Sequence, residues 1–141
     1  MAVIISHTAI INKKGQLLIL RRSLKDKVLP GLWDLPGGTT RLKEGPMEGA
    51  VREAREECGL IISNLKPLTC LSNWDNDKQE KFVTIIFICQ KYKGKIKLNP
   101  KDHDDYAWVD GEEIKCVKTV RYLKGIEKLI KSSYGHFQET C

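Results

Sequence analysis

Residues Gly38 to Leu60, GTTRLKEGPMEGAVREAREECGL, constrain this chain more than any other stretch. Pro46 suits a first helical turn, where its missing N–H would be unpaired anyway. Gly59 suits the left-handed residue that ends a helix. At about 100° per residue, Met47, Ala50, Val51, Ala54 and Cys58 form one narrow apolar stripe. Ala50 and Ala54 are small, so the helix axis can come close to a sheet. Glu53, Glu56 and Glu57 stand at i, i+3 and i+4 and project from one side. Glu53 and Glu57 flank the stripe, and Glu56 lies further round. Such a helix lays its stripe on a sheet and turns its acids toward the edge of a cleft.

Three carboxylates this close repel one another and gain nothing in packing. A hard cation is the usual reason to group them, because Mg²⁺ and Mn²⁺ take oxygen ligands. The plainer alternative is a solvated acidic face, with Arg52 pairing to Glu56 at i, i+4.

The spacing fits G-x5-E-x7-R-E-U-x-E-E-x-G-U, with U aliphatic. Gly38 opens it, Glu44 follows, then Arg52-Glu53, Ala54, Glu56-Glu57 and Gly59-Leu60. Every fixed position matches, and only Ala54 is smaller than the usual Ile, Leu or Val. The segment therefore resembles the Nudix box, and with its WDLPGG lead-in the chain is similar to MutT-like members of that family. The resemblance implies an α/β fold, a mixed β-sheet in an α/β/α sandwich. It implies one Nudix hydrolase domain over residues 1–141, with the box at 38–60. It also implies a Mg²⁺-dependent pyrophosphohydrolase, with Mn²⁺ as a substitute, acting on a nucleoside diphosphate linked to a group X.

Residue roles carry over by the same resemblance. Glu53 and Glu57 would be principal metal ligands, and Glu56 a ligand or base. Glu44 would add a further contact, and the Gly37 carbonyl would be another ligand. Arg52 would orient a box carboxylate, a task its planar fork suits. Gly37 and Gly38 let backbone approach metal and phosphates without a side-chain clash. The general base stays open: some relatives use a box glutamate, others an acid on a distant loop. Asp104 and Asp105, just before an expected strand, are the candidates, against a solvated turn. Asp75 and Asp77 are weaker ones and read as a polar loop.

Candidates for holding substrate lie outside the helix as well as at Gly38. Arg21, with Arg22, follows the second expected strand and could meet phosphates. His7 alternates in the first strand and reads either as a base contact or as a satisfied core histidine. His103 reads as a substrate contact or a turn residue. Trp33, Trp74 and Trp108 offer stacking faces, although core packing is the safer assignment for Trp108.

The 141 residues suffice for one domain with a real core. No apolar run is long enough to cross a bilayer, so no membrane partner is expected. The start, MAVIISHTAIINKKG, lacks a basic n-region and a cleavage site and reads as a strand rather than a signal peptide, and reduced thiols in a cytoplasm are the simplest account of the cysteines. Five cysteines without CxxC spacing argue against a zinc site and a disulfide scaffold. Cys58 and Cys89 fall in apolar patterns, and Cys141 reads as exposed. The net charge of +6 favours polyanionic ligands, a small nucleotide first and RNA second.

Strands are expected at Val3 to Ile11, Gln16 to Arg21, Leu60 to Ser72, Lys81 to Lys91 and Tyr106 to Val109, with Lys93-Gly94 as a turn before Lys95 to Leu98. A second amphipathic helix is expected at Thr119 to Lys131, with Val120, Leu123, Ile126 and Ile130 inward. Its outer face, Arg121, Lys124, Lys128 and Lys131, could form an RNA track or simply face water. The leading functional reading is hydrolysis of a nucleoside triphosphate, an oxidised one included, to monophosphate and pyrophosphate by metal-activated water. Alternatives are a dinucleoside polyphosphate, ADP-ribose or sugar-nucleotide hydrolase, an RNA 5′-end pyrophosphohydrolase, and a non-catalytic nucleotide sensor. The chain could be a monomer or a homodimer paired through its first strand.

Overall fold

The computed structural model describes residues 2–134. Cys141 lies outside them. The strands are β1 (Ala2–Ile10), β2 (Leu17–Arg22), β3 (Trp33–Asp34), β4 (Gly37–Thr39), β5 (Ile61–Ser63), β6 (Lys66–Asp75), β7 (Glu80–Cys89), β8 (Lys91–Lys93) and β9 (His103–Val109). Two α-helices join them, α1 (Pro46–Cys58) and α2 (Arg121–Tyr134), and a short 3₁₀ turn covers Glu113–Cys116.

The largest sheet is mixed, in the order β4-β1-β7-β6. β1 runs parallel to β7 over its whole length and antiparallel to β4, and β6 and β7 form an antiparallel hairpin. A second sheet is antiparallel, β3-β2-β9, and β5 pairs with β8 in a two-stranded third. Six of the nine β1 residues are apolar, and its second half, from Ser6 to Ile10, is buried because neighbours cover both faces. Ala9 and Ile11 enter one core with Leu17, Ile19 and the inner face of α2. Ile10 enters the other with Leu18, Leu20, Ala50 and Ala54 of α1. The two helices thus cover opposite faces, which is the expected sandwich. Each fully buried Leu or Ile contributes about 1.5–3 kcal/mol.

Helix α1 ends as its residues dictate. Pro46 opens it, and the Glu48 carboxylate accepts from the Gly45 amide at 3.3 Å, one half of a capping box. Gly59 closes it with φ 77°, its amide bonded to the Arg55 carbonyl at 3.0 Å. Two further end carbonyls are satisfied from afar: Lys97 donates to Cys58 and Asn99 to Glu57. Ala50, Ala54 and Cys58 are buried as the stripe requires. Met47 is not, at 43% exposed. The first turn stands clear of the sheet, and burial begins at Gly49.

Other boundaries differ from the sequence reading. The expected strand Leu60 to Ser72 is broken at Asn64, which takes φ 60°. β6 then runs on through Trp74 and Asp75, so the NWDND segment is a strand end and hairpin turn. There Asp75 Oδ1 accepts from the Asp77 and Lys78 amides at 2.9 and 3.0 Å. Residues 95–98 form no strand. Their amides serve the α1 terminus, and Ile96 and Leu98 pack under the helix. β9 starts three residues early, at His103. In α2, Val120, Leu123, Ile126 and Ile130 are all buried, as expected. Cys58 and Cys89 are buried free thiols, while Cys70 and Cys116 are exposed. No helix among the described residues is long and apolar enough to cross a membrane.

Candidate active site

Glycine makes the site possible by allowing close approach. A Cβ on Gly37 would sit 2.2 Å from the Ser6 carbonyl oxygen, and one on Gly38 would sit 2.9 Å from the Glu53 carboxyl. β4 can therefore lie against both β1 and α1. The Gly37 amide then donates to Glu57 Oε1 at 2.7 Å.

The three glutamates differ sharply in surroundings. Glu57 is buried, at 8% exposed. Burial pushes its carboxyl up to about 9, the Gly37 hydrogen bond works against that, and the charges of Glu53, Asp34 and Asp102 add to the rise. Glu53 is raised by burial, which the adjoining Arg52 opposes and the Glu56 and Asp102 charges reinforce. Glu56 faces solvent, 48% exposed at its side chain.

Arg52 organises this group. Its Nε and Nη2 donate to the two Glu44 oxygens at 2.7 and 2.9 Å, a bidentate fork. Its Nη1 donates to Glu53 at 3.0 Å and Glu56 at 3.1 Å. Nη2 also reaches the Thr39 carbonyl at 3.2 Å. Arg52 thereby ties the loop before α1 to two box acids. The Glu44 carboxyl is pulled down to about 2 by the Arg52 hydrogen bond first and the Arg41 amide second. The expected metal contact at Glu44 is thus engaged on both oxygens by Arg52, so its visible job is to hold that arginine. Arg52 and Glu56 do pair at i, i+4, so the plain ion pair and the clustered acids coexist.

Among the described residues, no three acids, histidines or cysteines already stand together as a metal cage. The chemistry of the donors nevertheless fits a hard divalent cation. Oε2 of Glu53 and Oε2 of Glu57 have no protein donor among the described residues, and burial, reinforced by neighbouring acids, raises both carboxyls. Glu53, Glu56 and Glu57 are the residues that could hold such an ion, with backbone at Gly37 close by.

The acids proposed as distant bases separate. Asp104 Oδ1 accepts from Arg21 Nε at 2.6 Å, which lowers its carboxyl and raises Arg21. Arg21 is thus held by Asp104 across β2 and β9. Asp105 accepts from the Tyr106 amide at 2.8 Å, at the strand edge. Neither bears on the box glutamates, whereas Asp102 does. The turn at Asn99 docks on the end of α1 through its bond to the Glu57 carbonyl, and Asp102 follows with its amide on Asn99 and its carbonyl on Ser23. Asp102 was not among the acids singled out from the sequence. The usable signal was an acid beside His103, where the exposed loop meets a buried strand start.

Asp34 was also missed. It is 4% exposed and surrounded by donors. Tyr122 of α2 donates its hydroxyl to Asp34 Oδ1, the Leu35 amide donates to the same oxygen at 2.7 Å, and Arg22 stands 3.5 Å from Oδ2. His7 Nδ1 donates to the Leu35 carbonyl at 3.0 Å, with the Tyr122 ring at 5.3 Å. His7 is thus a satisfied core histidine. His103 is buried too, which lowers its pKa, and its Nδ1 has no partner. Trp33 packs against the core under α2, and its backbone clamps residues 118 and 120. Trp108 stacks on Tyr92, and Trp74 is exposed.

Between α2 and the β6–β7 hairpin lies a cavity of about 660 Å³, lined in part by Asp34, Tyr122, Leu29, Leu71, Asn73 and Thr84. That volume suits a small organic ligand. Asp34 lines the cavity, and its charge acts on Glu57.

A carboxylate-bearing helix against a glycine loop, on a mixed sheet between two helices, defines a class of fold and site, and comparison with known proteins gives the family. The NUDIX domain model matches residues 3–130. The chain belongs to the Nudix family and is a Nudix hydrolase, a pyrophosphohydrolase by class. It is 32% identical over 115 residues to the nucleoside triphosphatase NudI of Klebsiella pneumoniae, covering 75% of this chain and 81% of that protein. It is 34% identical over 88 residues to an ADP-ribose pyrophosphatase of Methanocaldococcus jannaschii, covering 62% of this chain and 51% of the relative. A MutT protein from Methanosarcina mazei superposes with a TM-score of 0.80 at 28% identity, covering 94% of each chain.

Proposed function

We propose that this protein hydrolyses a nucleoside triphosphate to monophosphate and pyrophosphate, with Mg²⁺ held by Glu53, Glu56 and Glu57. The observation that carries this is Glu57, a buried carboxylate with one oxygen fixed by the Gly37 amide and the other free. Asp34, whose charge acts on Glu57, lines a cavity of nucleoside size. Likeness to a nucleoside triphosphatase and to a MutT protein supports the same reading.

When bound, a divalent cation would neutralise phosphate oxygens and make a coordinated water more acidic. The chain's own residues do the rest. Arg52 fixes the directions of Glu53 and Glu56, and Glu44 fixes Arg52. The Gly37 amide orients Glu57. Asp102, whose charge acts on both raised carboxyls and which is open to solvent, would take the proton of the attacking water. Asp104 serves less well, because its bond to Arg21 makes it a weaker base. The nucleoside would lie in the cavity, between Leu29 and Leu71 at its mouth and Asn73 and Thr84 on the sheet.

The test is pyrophosphate or phosphate release from nucleoside triphosphates (8-oxo-dGTP included), dinucleoside polyphosphates, ADP-ribose and sugar nucleotides. Each is run with Mg²⁺, with EDTA, and with Glu57→Gln. Metal-dependent turnover of a triphosphate, lost in the variant, is the expected result. Turnover confined to another class would move the substrate assignment, and binding without turnover of any of them would overturn it.

A further inference from the structure

One basic stretch of the chain contains no acid. Residues 90–101, QKYKGKIKLNPK, contain five lysines and no acid, a local charge of +5 in a chain of net +6. Lys91 and Lys93 flank the inward Tyr92, Lys95 and Lys97 flank the inward Ile96, and the exposed turn residue Gly94 joins the two pairs. Tyr92, Ile96 and Leu98 pack under α1, while all four lysines are exposed. β5 fixes the first pair: Ser63 pairs with Lys91 and Ile61 with Lys93, and the buried pair Ile62–Tyr92 forces their neighbours outward. None of the four lysines makes an ion pair among the described residues. The ridge also has a direction. The Lys97 amide is bonded to the Cys58 carbonyl and the Asn99 amide to the Glu57 carbonyl, so the row ends at the last turn of α1, which carries Glu57.

We infer that this lysine ridge binds the phosphate backbone of single-stranded RNA and leads that strand toward the box carboxylates. Strand spacing sets Lys91 and Lys93 roughly 6.6 Å apart, and Lys95 and Lys97 follow the turn at Gly94. Over six residues the row reaches at most roughly 20 Å, longer than the phosphate chain of a mononucleotide. Lysine acts on phosphate as a point charge, which suits a sequence-independent track. A membrane surface fits less well, because the apolar residues between the lysines turn inward and leave nothing to insert. The α2 face offers a sparser row, and Lys131 there already has a partner. The ridge extends beyond the small-nucleotide reading and does not depend on it.

The experiment is fluorescence anisotropy of the full chain with a labelled single-stranded oligoribonucleotide of mixed sequence, in EDTA so that nothing is hydrolysed. Four phosphate contacts on a single strand give a salt slope of about −2.8, a roughly fifty-fold loss of affinity between 50 and 200 mM salt. The quadruple variant Lys91→Gln, Lys93→Gln, Lys95→Gln, Lys97→Gln is expected to bind at least tenfold more weakly with a nearly flat salt response. Its melting temperature reports folding. Should it fail to fold, Lys93→Gln and Lys95→Gln alone are each expected to lower the slope by about 0.7. Lys124→Gln with Lys128→Gln on α2 should leave binding unchanged. Unchanged RNA binding in the ridge variants, an equal loss in the α2 pair, or binding to phosphatidylserine vesicles but not to RNA would overturn the inference.

Discussion

Glu57 accepts a hydrogen bond from the Gly37 amide at 2.7 Å, so the buried acid of α1 is oriented by the glycine loop twenty residues before it. Replacing Glu57 by Gln keeps the shape and removes the charge. Metal-dependent turnover should fall by at least about a hundredfold, the lower end for loss of a group acting in the transition state. Mg²⁺ should no longer raise the melting temperature of the variant, as it should in the parent. Retained stabilisation by Mg²⁺ would remove Glu57 from the ligand set.

The same acid makes the metal-free protein sensitive to pH. Its folded pKa is about 9 against 4.5 unfolded, so between those values the folded state holds a proton that the unfolded state has lost. Stability should therefore fall as pH rises from about 4.5 toward 9, and the full contribution is present only below the unfolded value. Glu57→Gln should flatten this decline in EDTA. Saturating Mg²⁺ should reverse it, because the ion binds the ionised carboxylate. Denaturant titrations at several pH values, with Mg²⁺ and with EDTA, measure both slopes.

Asp102 and Asp104 separate the two choices of base. Asp102→Asn should lower kcat by about 10²–10⁴ with little change in KM, the range for general-base loss. Asp104→Asn should leave kcat within a few-fold and free the Arg21 side chain it holds at 2.6 Å. Equal effects from the two would return the base to the box.

What was readable in the chain follows the range of the interactions. The ends of α1, its buried stripe from Ala50 onward and the ordering of its three acids all arise within a few residues, and local periodicity exposes them. The inward face of α2 was legible for the same reason. Asp34 was not, because its defining partner, Tyr122, lies 88 residues away and reaches it only once α2 packs on the sheet. Asp102 was missed because a turn bonded to the end of α1 places it, and spacing alone cannot show that docking. Glu44 fits the box by position, yet its environment is set by Arg52 after the loop closes.

Arg52 tests whether the fork matters beyond its charge. Arg52→Lys keeps the positive charge but cannot bond both Glu44 oxygens and two further acids at once. Misplacing a catalytic carboxylate by about 1 Å can cost on the order of a hundredfold. The lysine variant should therefore lose roughly that much in kcat while KM changes little. A KM effect instead would mean that Arg52 touches substrate.

Leu29 gives a prediction in which stability and function part. Its φ is 54°, a left-handed conformation that costs a residue with a Cβ about 1–2 kcal/mol. It also stands at the cavity mouth, 49% exposed, where its side chain covers the proposed nucleoside position. Leu29→Gly removes that strain but adds chain entropy to the unfolded state, about 0.5–1 kcal/mol. The two nearly cancel, so the melting temperature should hold or rise slightly. A residue held in a strained conformation without a gain in stability points to a functional use of its side chain. Here that use is contact with the bound nucleoside, so KM should rise several-fold in the glycine variant while kcat stays near the parent value. Leu29→Asn, which tolerates the left-handed region but offers a polar surface, should raise KM in the same way. If both variants keep the parent KM, the cavity beside Asp34 does not hold the nucleoside, and the substrate must approach α1 from another side.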